Sequence, residues 1–229
     1  MGKAWTLDEI VTKLQDEYNL AGEDFITNEE LVEYINFGID LVESKIHSLN
    51  EDYFLSTGSI DLEDGTQNYD LPSDIYANKL RLVYYSNGSK VYTIREIKDL
   101  RDVLGYEGNY LSGCEYRFLM LNDSTEGVKL RLYPRPAEDT LEGVKFLYIR
   151  NAKRLSENED ICDIPEHIHY VFEAAGIKIR RKEMLSSDDE KIALAELENK
   201  LVNDLTPKII DNDTELSLPD DVGEYFEEF

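Results

Sequence analysis

Cysteine is scarce in this 229-residue chain: only Cys114 and Cys162 are present, far apart, so no disulfide framework can be built and a reducing compartment is expected. Positive charge is also short, with 24 Lys+Arg against 49 Asp+Glu, a net charge of −25 and a sequence pI of about 4.4. That balance excludes a simple nucleic-acid clamp, in which each phosphate contact needs a cation, and disfavours docking on an anionic membrane face. Long apolar runs are missing too. No stretch approaches the roughly 20 residues of a membrane span. The opening Met1-Gly2-Lys3-Ala4-Trp5-Thr6 lacks the apolar core of a secretion signal. With 41% hydrophobic residues and 15 Tyr, however, the chain has enough apolar surface for one good core or two small ones. A soluble, strongly acidic protein made in the cytoplasm is predicted.

The periodicity predicts helices, then strands, then helices. Thr6-Leu7-Asp8-Glu9 and Thr27-Asn28-Glu29-Glu30 both have the capping-box form, Thr with Glu three residues later. Leu7, Ile10, Val11 and Leu14 follow the first, and Leu31, Ile35, Gly38, Val42 and Ile46 the second, at helical spacing. These two helices, residues 1–52, are expected to form an N-terminal hairpin, the second with an acidic outer face of Glu29, Glu33, Asp40 and Glu43. Residues 53–150 read as antiparallel strands with a short helical insertion from Arg95 to Leu104. Asn87-Gly88 marks a tight hairpin turn, because both residues tolerate positive φ. Residues 151–205 resume helical spacing: Pro165 at a first turn, Ile168 to Ile179, then Ile192 to Val202 after Ser187-Asp188-Asp189-Glu190. The fold class is α+β, with the two helical hairpins together making a bundle. Residues 206–229 carry eight acids against Lys208, with apolar anchors at Ile209, Ile210, Leu216, Leu218, Tyr225 and Phe226. They are expected to be an extended acidic arm that orders against a partner.

Catalytic signatures are absent. The chain has no GxSxG elbow, no phosphate-cradling loop and no HExxH or paired CxxC motif, so neither an enzyme nor a cofactor is expected. His167 and His169, two apart on a helix, diverge and cannot share a metal. Asp211-Asn212-Asp213-Thr214-Glu215 begins like a calcium loop but has Leu216 and Val222 where Gly and Glu are required.

One series of motifs is informative in its order. Leu31-Val32-Glu33-Tyr34-Ile35-Asn36-Phe37-Gly38-Ile39-Asp40, preceded by Glu30, comes first and Tyr69-Asp70-Leu71-Pro72-Ser73-Asp74-Ile75 second. Val128-Lys129-Leu130-Arg131-Leu132-Tyr133-Pro134-Arg135-Pro136, Phe146-Leu147-Tyr148-Ile149-Arg150, Arg154-Leu155-Ser156 and Asp163-Ile164-Pro165-Glu166-His167 follow, the last entering a helix with Ala174-Ala175-Gly176. Over residues 28–185 the series resembles the head-to-tail adaptor (connector) proteins of tailed bacteriophages, of the tail-tubular-protein-A type found in short-tailed phages. The resemblance implies a structural virion component at the head–tail junction. Copies would pack in a ring, usually twelve-fold, with one edge on the portal protein and the other receiving a nozzle or tail protein. DNA would pass through without being specifically bound, and no membrane would be involved. Repulsion in such a bore would keep phosphate from sticking, so Glu29, Glu33, Asp40 and Glu43 are expected to line it. Tyr69, Leu71, Pro72 and Asn87, with the arm anchors, are expected at interfaces. Two other readings compete: an acidic DNA mimic or other regulatory binding protein, favoured by charge alone, and an enzyme, favoured by no motif.

Overall fold

The computed structural model describes residues 3–20, 25–99, 101, 103, 115–123 and 127–213. The chain divides into two compact units, one formed by Met1–Tyr53 with Ala152–Phe229 and the other by Phe54–Asn151.

In the first unit, helix α1 (Leu7–Glu17) and helix α2 (Asn28–Leu49) each start on a complete capping box. Thr6 Oγ1 accepts from the Glu9 N–H at 3.3 Å while the Glu9 carboxylate accepts from the Thr6 N–H at 3.2 Å. Thr27 and Glu30 repeat the exchange at 3.3 and 2.9 Å. A 3-10 turn at Pro165–His167 leads into α3 (Ile168–Glu183), and α4 spans Ser187–Asp213. The main helix pair is α2 with α3, rather than the sequential pair α1 and α2. Gly38 permits this closeness: a Cβ there would stand 2.8 Å from the Val171 carbonyl oxygen and 3.1 Å from its Cα. Leu31, Ile35, Ile39, Val42 and Ile46 of α2 are buried with Val171, Phe172, Ala175 and Ile179 of α3. Trp5 meets Phe172 edge to face, 5.5 Å between ring centres.

The second unit holds two four-stranded sheets. Its strands are β1 (Leu55–Leu62), β2 (Asn68–Asp70), β3 (Ile75–Ser86), β4 (Val91–Thr93), β5 (Arg95–Glu96), β6 (Arg117–Asp123), β7 (Gly127–Tyr133) and β8 (Thr140–Arg150). The first sheet has the order β1-β8-β3-β4 and the second β2-β7-β6-β5. Their inner faces share one core: Ile60, Val83, Tyr85, Val144, Phe146 and Tyr148 on one side, Tyr69, Leu71, Phe118, Leu130 and Leu132 on the other. The alternation seen in the sequence is that of strands with one face buried.

Four expectations need correction. Tyr53 and Phe54 do not begin a strand but close a 3-10 turn at Glu51–Phe54. Arg95 and Glu96 do not start a helix; they form β5, which pairs with β6 in parallel, so the β section is not wholly antiparallel. Further along the expected insertion Arg101 and Val103 are helical, while Leu100 and Leu104 lie outside the described residues. The segment from residue 206 is not extended at its beginning, because α4 continues to Asp213. Pro207 removes one backbone donor there, and the helix tolerates the loss.

Candidate functional site

The motif series is a set of mutual fastenings. Asn36 is buried on α2, where its amide donates to the Leu155 carbonyl and accepts from the Leu155 N–H, both at 2.8 Å. Helix and loop motifs, 119 residues apart, are thus held by one side chain. In the β unit, the Asp74 carboxylate accepts from the Tyr148 hydroxyl at 3.1 Å and the Asp74 carbonyl from the Asn151 N–H at 2.7 Å. Burial raises the Tyr148 pKa. Tyr69 stands opposite Leu130 in the β2–β7 ladder, and its hydroxyl donates to the Thr66 carbonyl at 3.0 Å.

A second fastening organises the loop before α3. Asp160 accepts from the Ser156 and Glu157 N–H groups at 2.9 and 3.0 Å and pairs with Lys153 Nζ. Those hydrogen bonds, led by the Glu157 N–H, hold its carboxyl well below the usual range. Asp163 accepts from the Lys153 N–H at 2.8 Å, and Leu7 donates to the Asp160 carbonyl at 2.9 Å, tying α1 to the same loop.

The acids of α2 differ in their surroundings. Glu29, Glu33 and Asp40 are exposed, and Asp40 pairs with Arg154 at 3.2 Å. Glu43 is mostly covered: it accepts from the Ala152 N–H at 2.7 Å and lies 3.3 Å from His47 Nε2. Its charge is therefore used inside the helical unit. Of the residues expected at interfaces, Tyr69 and Leu71 are in the β core, Pro72 is half-buried and Asn87 is exposed at the β3–β4 turn. Asn87 Oδ1 accepts from the Ser89 and Lys90 N–H groups at 3.1 and 2.8 Å. Ile209 and Ile210 fall on α4, while Leu216, Leu218, Tyr225 and Phe226 lie outside the described residues.

Nothing in this geometry converges on a reacting atom. His167 is buried and His169 exposed, and Cys162 is a free buried thiol whose pKa burial pushes up. Among the described residues no group of His, Cys, Asp and Glu could hold a metal ion, and no helix is long and apolar enough to cross a membrane. Sequence reasoning placed Asn36 in a motif without giving it this role, and missed Asp160. An amide at a core-facing helical position was the available signal for the first, since a buried amide needs specific partners.

The family model described as SU10 adaptor protein matches residues 5–221, and the chain belongs to that family. It is accordingly a phage adaptor, a structural component of the virion that interacts with other virion proteins, and the family is not a class of enzymes. Comparison with curated proteins finds no match.

Proposed function

We propose that the chain is a head-to-tail adaptor of a short-tailed phage, assembling into a twelve-fold ring that joins the portal to the tail and leaves a channel for DNA. The observation that carries this reading is the adaptor-family match over residues 5–221. The charge agrees with it. A bore lined by carboxylates repels the duplex instead of gripping it, and screening confines that repulsion to about 10 Å at 0.1 M salt. Glu29, Glu33 and Asp40, exposed along α2, are the acids suited to face the channel. Pro72 and Asn87, at loops of a rigid β unit, are suited to meet the next component of the tail. The residues beyond Asp213, acidic with apolar anchors, would embrace a neighbouring subunit or the portal, and tethering would add avidity. Electron microscopy of the full-length protein mixed with its portal tests the proposal. A closed ring with an acidic lumen is expected; a single bound copy, or a basic bore, would refute it.

A further inference from the structure

Acids occupy about one position in five of this chain, yet the middle of one sheet has none in any of its four strands. In the first sheet the inward positions are those of Ile60, Val83, Tyr85, Val144, Phe146 and Tyr148, so alternate residues point away from the core. The registers line those outward residues into rows. Thr57 stands beside Leu147 and Leu147 beside Leu82, and the next row runs through Lys145 and Tyr84. No Asp or Glu occurs in 55–59, 82–86, 91–93 or 145–149. Apolar side chains remain open to solvent on this face: Leu55 is 45% exposed, Leu82 39% and Val91 69%. Acids stand only at one end of the sheet, where the exposed Asp61 accepts from the Glu142 N–H at 2.6 Å. Lys145 stands on the face, held 2.9 Å from Glu142 at the strand's start, and the bulge between Leu80 and Leu82 inserts the exposed Arg81.

We propose that this face is the surface on which a second copy of the chain docks. Two bodies of charge −25 repel, and carboxylates trapped between them would add both repulsion and desolvation cost. A face that is neutral and largely apolar over its middle removes both penalties on one side. The contact is heterologous, because the face set against itself would close a pair and not a ring. Duplex DNA is a poorer occupant, since two cations cannot match phosphates spaced about 1.7 Å along the axis. The inference rests on the ring reading and adds to it which surface makes the subunit contact.

The test uses the full-length protein, alone and with portal, followed by native mass spectrometry and sedimentation. Leu82→Glu and Thr57→Glu should each weaken self-association by about tenfold or more, and Lys145→Glu should weaken it as well. Met184→Glu, at a side chain 96% exposed in the helical unit, should leave it unchanged. Thr57 is already exposed, so its variant preserves the readout if Leu82→Glu fails to fold. Rings of the wild type that persist in the face variants would overturn this assignment and leave the ring reading standing. A wild type that stays single even on portal would remove the ring reading and this inference together. Variants that self-associate normally but lose portal or DNA contact would also overturn it, giving the face to that other partner.

Discussion

Asn36 shows how one side chain can decide the fate of two segments. Its amide satisfies both backbone groups of Leu155, and all four partner atoms are buried. Asn36→Leu would keep the branched shape but orphan one donor and one acceptor, each costing about 1–3 kcal/mol. A loss of about 3 kcal/mol in urea unfolding of the helical unit is expected, and a near-neutral effect would show that Leu155 finds other partners. Asp160 carries a pH signature. Because its folded-state pKa is depressed, its contribution is complete above the unfolded value near about 4 and is lost as pH falls through the folded value. Asp160→Asn should therefore differ most from wild type at neutral pH, and the two thermal midpoints should converge as pH drops from about 5 toward 2. A constant difference across that range would assign the stabilisation to something other than the carboxylate.

At the scale of elements, Gly38 sets how closely α2 approaches α3. Alanine favours a helix interior by about 1 kcal/mol over glycine, but its methyl would press on backbone atoms of Val171 that cannot swing aside. Overpacking of this kind costs about 1–3 kcal/mol, so Gly38→Ala should be net destabilising by about 1–2 kcal/mol in chemical denaturation. A stabilised variant would mean the helices can part freely. The capping boxes at Thr6 and Thr27 and the apolar spacing after them were legible because both signals are local. A hairpin at Asn87-Gly88 was legible too, but its loop is four residues long with positive φ at Gly88 alone, and the bulge between Leu80 and Leu82 interrupts the alternation expected of β3. Partners were not legible. Periodicity tells which face of α2 is buried, but nothing local says that α3 covers it, or that β1 lies beside β8. The parallel pairing of two-residue β5 with β6 depends wholly on distant chain. Helix α4 outlasted its apolar pattern because helical hydrogen bonds can continue where side-chain spacing no longer demands them. Among the candidate site residues, exposure was legible for Glu29, Glu33 and Asp40, whereas the capture of Glu43 by the Ala152 N–H was not.

At the scale of the whole molecule, the chain past Asp213 can be tested by removal. Residues 214–229 carry six acids and no base, with Leu216, Leu218, Tyr225 and Phe226 among them. A chain ending at Asp213 should melt as the full protein does, yet associate with its neighbours or the portal more weakly. Equal association by the shortened chain would reduce the segment to a solubilising tail. The division into units has another consequence. The helical unit draws on both halves of the sequence, with the β unit inserted between them. On the ribosome α2 emerges early, but the residue that Asn36 grips is made 119 positions later. At bacterial synthesis rates that delay is roughly ten seconds, long on the timescale of helix formation. Throughout it Leu31, Ile35 and Ile39 await their cover while the inserted β unit is completed. Newborn chains would thus be stickiest before their last third is translated, a window in which chaperones would find them.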